Sequence, residues 1–485
     1  MGGGYNFLLE GDNLHSLYLL EKTHKNKIDF IYIDPPYNTL KNDFIYEDRY
    51  LGDDDGYKHS KWISFMRERL EISHRLLTNR GIIFISIDDH EFSQLRLLMD
   101  SVFGEKNYVE TFIWEKNPNP TYLNKYSRSS SEYILCYAKN KSADGLAYLD
   151  GGIVESSETD APLQNKGNPI RQIKVLPKIS KCLFDDCIIK AGKYKSVEIH
   201  NDVKIKNGTN VNEFIMSGTF RMTEKTLYER IENGEILIFK SNNMAPRLSY
   251  TANKRHSAPL KNLYSKDYGT TQIGNNQLEK ILGKKIFDNP KPVTLIKKLI
   301  QFFPDNNKSI VLDFFAGSGT TGQAVVELNN EDGGNRKFIL CTNNENNICE
   351  EVTYQRIKTV ITGKRQDESK YSDGVSENLK YYKTDFIRKD SKNVNKELSR
   401  HVKELIELEW GVNIDKKEHL IVLTEEELDR IEEKWDKLKN TVKSIYRDRQ
   451  VVYTGKQKEL FKNINNYIIP DYYFDNELKE VGENW

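Results

Sequence analysis

The stretch that most restricts the fold runs from Ile28 to Asn38. Residues 28–33 are β-branched or aromatic apart from Asp29, a composition that suits a strand buried on both faces of a sheet. The run stops at Asp34-Pro35-Pro36-Tyr37. Neither proline can donate to a ladder and each fixes its φ, so the strand ends in a stiff corner with Asp34 and Tyr37 on either side. Open α/β sheets bind ligands at the carboxyl ends of their strands, which is where this corner falls. An ordinary Pro-Pro turn has the same local sequence, so the rest of the chain has to decide.

The surrounding pattern is α/β. Residues 6–9 form a short apolar strand, and Asp12 or Asn13 can cap a helix striped by Leu14, Leu17 and Leu20. A polar loop over 38–60 carries Tyr46, Tyr50 and the acid run Asp53-Asp54-Asp55; loops this long after a site strand are commonly functional. Phe65, Met66, Leu70, Ser73, Leu76 and Leu77 predict a helix over 61–77. Residues 81–87 read as a buried strand, 92–103 as a helix, and 108–115 and 133–137 as strands. This alternation predicts a parallel sheet covered on both faces. The same signature returns at 286. Pro290 and Pro292 lead a helix striped by Val293, Ile296, Leu299, Ile300 and Phe303. A strand at 309–315 follows, then a glycine loop over 316–322, a helix at 323–328, a strand at 336–341 and a helix at 350–362.

Between these blocks the chain changes character. Lysine and arginine equal aspartate and glutamate over the whole sequence, 72 each, so net charge selects no partner. Residues 161–290 hold 22 of the former against 12 of the latter. Short alternating strands at 196–199, 213–217 and 235–240, with basic and aromatic residues interleaved around Lys254-Arg255-His256 and 264–268, predict an inserted, mostly β domain suited to nucleic acid. Residues 389–485 predict a helical C-terminal domain, with charged amphipathic helices at 394–409 and 424–447. Five cysteines, an odd number in a long chain, do not make a disulfide framework, and Cys182 and Cys187 have no second pair at zinc-ligand spacing. With no apolar run of 18 residues and no signal peptide, a cytosolic, soluble protein is expected. Met1-Gly2-Gly3-Gly4 looks like a trimmed or tagged start and is set aside.

Ala316-Gly317-Ser318-Gly319-Thr320-Thr321-Gly322 lies between a strand and a helix, where glycines let backbone approach a ligand and the helix start offers free N–H groups. It lacks the third spaced glycine of a dinucleotide fingerprint and the lysine of a P-loop. Pyrophosphates and nucleoside triphosphates are therefore poor ligands. A smaller nucleoside bearing a carboxylate, S-adenosylmethionine above all, fits better.

Together, Asp34-Pro35-Pro36-Tyr37 and Asp313-Phe314-Phe315-Ala316-Gly317-Ser318-Gly319-Thr320-Thr321 resemble the paired motifs of the amino-group DNA methyltransferases, in the β-class order. Gly11-Asp12-Asn13-Leu14, Phe65-Met66-x-x-Arg69-Leu70, Ile87-Asp88-Asp89 and Phe287 with Pro290-Lys291-Pro292 match as flanking words. Residues 333–340 and Val352-Thr353-Tyr354-x-Arg356-Ile357 narrow the resemblance to the modification (Mod) subunits of type III restriction–modification systems. It covers roughly 1–140 and 286–388 and is weak elsewhere.

The resemblance implies a circularly permuted, Rossmann-like, doubly wound core made of 1–145 and 286–388, a target-recognition insert over 146–285, and a helical domain over 389–485 for dimer or partner contacts. It implies methyl transfer from S-adenosylmethionine to N6 of an adenine flipped out of duplex DNA, with Asp34, Pro35, Pro36 and Tyr37 at the amino group. Asp12, Lys291, Pro292, Asp313, Phe315, Gly317, Gly319 and Thr320 would meet the cofactor, Asp12 near its adenine and Lys291 and Pro292 near its methionine end. Glu345 stands displaced from the usual place of a ribose-binding acid. No metal and no cysteine nucleophile are implied, and no cysteine follows a proline as in C5-cytosine enzymes. The implied partners are double-stranded DNA, a second copy and a separate helicase–nuclease subunit, in a bacterial-type cytoplasm. A solitary methyltransferase, an N4-cytosine enzyme and a non-catalytic DNA-binding module are the alternatives. Asp34 disfavours the second, since N4 enzymes more often carry Ser there, and the intact motif set disfavours the third.

Overall fold

The computed structural model describes all residues except 1–3, 40–44, 47–48, 51–55, 121–125, 143–148, 152, 155–159, 250–254, 257, 305, 389, 391–392, 416 and 483–485. The side chains of 45–46, 49–50, 153–154, 255–256, 476 and 480–481 are not described either. The acid run at 53–55, the side chains of Tyr46 and Tyr50, Lys254, and the side chains of Arg255 and His256 thus lie outside the described residues. The chain divides into two compact units, Met1–Asp150 with Pro259–Trp485, and Gly151–Ala258.

The larger unit is built on a nine-stranded sheet. In chain order its strands are β1 (Asn6–Glu10), β2 (Ile28–Ile33), β3 (Leu77–Ile87), β4 (Tyr108–Glu115), β5 (Ser131–Ala138), β6 (Asn262–Leu263), β7 (Ile310–Asp313), β8 (Lys337–Thr342) and β9 (Leu379–Lys383). Their order across the sheet is β6-β4-β5-β3-β2-β7-β8-β1-β9. From β3 to β9 every pairing is parallel, as the alternation predicts. The sheet as a whole is mixed, because β5 runs antiparallel to both β3 and β4. The connection explains the departure: no helix occurs among the described residues of 116–130, and without a crossover the next strand returns antiparallel.

Helices α1 (Asn13–His24), α2 (Lys58–Leu76) and α3 (Phe92–Met99) cover one face. The helices α4 (Thr271–Leu282), α5 (Val293–Gln301), α6 (Thr320–Asp332) and α7 (Tyr354–Thr362) cover the other. Strand β2 supplies both cores by its alternation: Phe30 and Tyr32 join the α4–α7 side, and Ile31 and Ile33 the α1–α3 side. Asp29, the one acid in that run, accepts the Ile310 N–H at 3.0 Å and the Thr78 hydroxyl at 3.3 Å. It thereby ties the starts of β7 and β3 to the central strand.

The smaller unit is mostly β. Arg171–Val175, Phe214–Gly218, Val197–Ile199 and Gly192–Tyr194 form one antiparallel sheet. Ser180–Cys182, Leu237–Phe239, Pro246–Ser249 and Asp160–Pro162 form another, and Glu224–Glu232 is its helix of nine residues. Ile173, Val175, Phe214, Met216 and Phe239 lie at its core. Residues 259–285 instead pack with the larger unit, where β6 pairs with β4 and α4 buries Leu278 and Ile281. Residues 151–258 themselves hold 17 Lys and Arg against 12 Asp and Glu, a smaller excess than the wider window suggests.

The C-terminal region is not the helical domain that its charge pattern predicts. Helix α8 (Val402–Trp410) forms, but β10 (His419–Val422), β11 (Ser444–Arg447) and β12 (Asn465–Ile468) make a parallel three-stranded sheet. The helix expected over 424–447 breaks into Glu425–Glu433 and Trp435–Leu438. Short buried runs, Leu420 with Val422 and Ile445 with Tyr446, were hidden among the charges. No helix among the described residues is long and apolar enough to cross a membrane.

Candidate active site

Four neighbouring parallel strands end at one edge of the sheet. Strand β2 delivers Asp34, β7 delivers Asp313 and the glycine loop, β8 leads to Glu345, and β1 leads to Gly11 and Asp12. The residues named from sequence therefore gather along this edge although some 280 positions separate the two motifs.

At the Asp34 corner, both carboxylate oxygens are engaged. The Tyr37 hydroxyl donates to Oδ1 at 2.7 Å, and Lys291 Nζ donates to Oδ2 at 2.6 Å. Lys291 Nζ also lies 3.0 Å from the Tyr37 hydroxyl and 3.5 Å from Glu132 Oε2. Glu132 accepts Lys116 Nζ at 2.9 Å and stands 3.2 Å from the Tyr37 hydroxyl. Burial works against the Lys291 ammonium, but Asp34 and then Glu132 outweigh it and raise its pKa. Burial likewise works against the Glu132 carboxylate, and Lys291 and Lys116 outweigh it and lower its pKa. Burial, then the charges of Asp34 and Glu132, push the Tyr37 phenol well above its ordinary value, so it stays a donor. The corner is braced from α2, whose buried Trp62 donates its indole N–H to the Pro36 carbonyl at 2.7 Å. Asp34, Tyr37, Lys116, Glu132 and Lys291 line an open cleft of about 1150 Å³ that Phe287 also walls. That is above the ~300–1000 Å³ of common small-molecule sites.

The second motif is held differently. Asp313 is buried; its Oδ2 accepts the Thr321 hydroxyl at 2.6 Å and its Oδ1 the Phe315 N–H at 3.0 Å. Burial pushes its pKa up to about 7 against those two bonds. Gly317 and Gly319 take φ of +47° and +77°, the left-handed region, and a Cβ on Gly319 would stand 3.1 Å from Thr353 Cγ2. Thr353 Oγ1 in turn donates to the Gly317 carbonyl at 2.5 Å. Beneath the loop, the fully buried Arg356 donates to Ser318 Oγ at 3.0 Å, Thr320 Oγ1 at 2.7 Å and Gln323 Oε1 at 2.7 Å. The loop closes as α6 begins, so its backbone faces the helix N-terminus.

Asp12 caps α1 through the Leu14 N–H at 2.7 Å and pairs with Arg69 at 3.2 Å. Arg69 stacks 3.8 Å above Phe65, and Phe65 faces Phe315 at 6.0 Å between ring centroids. Asp12 and Phe315 are thus connected through the Phe65–Arg69 stretch of α2. Pro292 is the cap residue of α5, and the Lys291 carbonyl accepts Thr320 Oγ1 at 3.2 Å. The Lys291 backbone therefore meets the glycine loop while its side chain reaches Asp34. Glu345 is exposed, in a short turn after β8.

Sequence reading missed Glu132, Lys116 and the loop-bracing part of Arg356. Glu132 had one signal, an acid opening an otherwise apolar strand; Lys116 had none. Among the described residues, no group of three or more His, Cys, Asp or Glu side chains is placed to hold a metal ion.

An Asp-Pro-Pro-Tyr corner beside a strand–glycine loop–helix turn, on a mixed α/β sheet, defines a class that comparison names: the sequence profile of the DNA methylase family matches residues 28–356. The chain belongs to that family. It is similar to the Mod subunit of the type III restriction–modification enzyme StyLTI of Salmonella typhimurium, 32% identical over 73% of this chain and 56% of that one. The chain thus spans little more than half of that relative's length. It is similar also to the type II methyltransferase M.KpnI of Klebsiella pneumoniae, 32% identical over 69% of this chain and 79% of that one. Among solved structures, the cytosine-N4-specific PvuII DNA methyltransferase aligns over 70% of this chain and 82% of that one, at 15% identity and a TM-score of 0.36. A likeness at that level carries no functional information.

Proposed function

We propose that this chain is a site-specific DNA adenine-N6 methyltransferase, using S-adenosylmethionine, and the modification subunit of a type III restriction–modification system. What carries the reading is the Asp34–Tyr37 corner, a carboxylate and an aromatic ring in an open cleft large enough to admit a nucleotide, one strand away from the glycine loop. An adenine amino nitrogen is a poor nucleophile because its lone pair is delocalised into the ring. Asp34 and the Pro35 carbonyl would accept its two N–H groups and draw it toward sp³, leaving the lone pair aimed at the methyl group. Preorganised acceptors and orientation then lower the barrier. The Tyr37 ring would pack on a base flipped from the duplex.

The residues at the second motif fit S-adenosylmethionine: two left-handed glycines open backbone at the start of α6, and Phe315 stands beside them. Bound there, the cofactor supplies a methyl group on a sulfonium. Gly317, Gly319 and Thr320 would hold its amino-acid end, and Phe315 and Asp12 its nucleoside. Asp313 would act by shaping the loop. The unit 151–258 would read the target sequence, as the insert of a permuted β-class core, and a helicase–nuclease subunit and a second copy are the proposed partners.

A second reading is a methyltransferase acting without such a partner, since the chain is as similar to the type II methyltransferase M.KpnI as to the StyLTI Mod subunit, 32% identical in each case. Base-resolved methylation sequencing of DNA from cells expressing the chain tests the reaction: N6-methyladenine at one recurring site is expected, and N4-methylcytosine refutes the adenine assignment. Co-purification with the product of a neighbouring helicase–nuclease gene separates the two system types.

A further inference from the structure

Both oxygens of the Asp34 carboxylate are occupied by the chain's own donors, the Tyr37 hydroxyl and the Lys291 ammonium. Each oxygen keeps a second acceptor site, but an incoming amino group competes with these two donors, and Asp34 accepts it more strongly once one of them has left. Freeing Asp34 alone would strand the buried Lys291 charge without a counter-ion, which is costly. Glu132 removes that cost. It projects from the rigid strand β5, its Oε2 lies 3.5 Å from Lys291 Nζ and 3.2 Å from the Tyr37 hydroxyl, and Lys116 holds its other oxygen at 2.9 Å. Both donors on Asp34 therefore already face a second carboxylate, and a small swing of the Lys291 side chain exchanges one for the other.

We propose that Glu132 is a positioning residue for methyl transfer, the alternate seat that takes Lys291 from Asp34 when the target amino group enters. The proposal rests on the reading of Asp34 as the amino-group acceptor. Lys291 thus guards Asp34 until the amino group enters and yields it on binding, and Lys116, by pairing with Glu132, sets how readily the exchange occurs. Glu132 touches neither the base nor the cofactor and acts through Lys291 alone.

That last point is the test. Methyl incorporation from labelled S-adenosylmethionine into unmethylated bacterial genomic DNA gives kcat at saturating DNA, and equilibrium dialysis of S-adenosylmethionine reports an intact cofactor site. Glu132→Gln should lower kcat about tenfold, the scale of coupling between contacting groups, with cofactor affinity unchanged. In a Lys291→Gln background the same substitution should change kcat less than about twofold, because the group it acts through is gone. An equal loss in both backgrounds, or no loss in the first, overturns the proposal. Lys116→Met provides an arm of opposite sign: with Lys116 gone, Glu132 competes harder for Lys291 and kcat should rise. A fall in kcat at saturating DNA contradicts the exchange even if Glu132→Gln fails to fold. Asp34→Ala, assayed in parallel, keeps the two claims apart. If it turns over normally, the reading of Asp34 fails; if it is inactive while Glu132 and Lys291 act additively, only the exchange fails.

Discussion

Asp34 and Asp313 end adjacent parallel strands, β2 and β7, at the same edge of the same sheet, yet they are set in opposite ways. The Asp34 side chain is 28% exposed and held by Lys291 and Tyr37, two side chains that can move. Asp313 is 3% exposed and held by a hydroxyl and a backbone N–H of its own loop. The first is an exchangeable carboxylate facing a cleft. The second is a carboxyl spent on turning the chain. An acid at a strand end in this fold is thus read by what would have to break to free it: a side-chain contact at Asp34, the glycine loop itself at Asp313.

The contrast can be broken most forcefully at Asp313. Asp313→Ala leaves the Thr321 hydroxyl and the Phe315 N–H without their buried acceptor and should cost about 2–3 kcal/mol in denaturant unfolding. An unchanged midpoint would show that the loop does not depend on it. Its pH behaviour should follow. Asp313 has a folded pKa of about 7 against an ordinary 3.8, so the folded state holds its proton longer. Its contribution to stability is full below about pH 4 and falls as pH rises to about 7. Asp313→Asn, which keeps a hydrogen-bonding carbonyl but cannot titrate, should lose less stability than the unaltered chain between those limits; parallel curves would contradict the assignment.

A smaller effect is expected at the glycine loop. Gly319→Ala places a Cβ on a residue at φ +77° and against Thr353, which should cost about 1–2 kcal/mol and weaken S-adenosylmethionine binding in dialysis. Smallest is Tyr37→Phe. It keeps the ring and removes one donor from Asp34, so cofactor affinity should stay level and kcat change less than in Tyr37→Ala, which loses the stacking face as well.

Much of this was legible in the sequence because it is written in short range. Buried strands announce themselves as apolar runs, and prolines and glycines mark where they stop, so β2, β7 and both corners are readable residue by residue. Long-range pairings are not. Glu132 reaches Lys291 and the Tyr37 hydroxyl only because β5 returns antiparallel beside β3, and nothing local to 116–130 says that it will. Lys291 reads locally as a residue at a helix start, and only its side chain's path across the cleft joins it to Asp34. The C-terminal sheet was lost for the opposite reason: charges at helical spacing outweighed strands only four residues long. The limits of the inserted unit were blurred by composition, since the basic excess runs on past residue 258 into helix α4 and its neighbours.

The central claim is that Asp34 accepts the amino group that is methylated. Its most direct test is methyl transfer from labelled S-adenosylmethionine to duplex DNA by Asp34→Ala and Asp313→Asn side by side, with cofactor binding measured on both. Transfer should vanish in the first, with cofactor still bound, and persist in the second. Normal transfer by Asp34→Ala would contradict the claim.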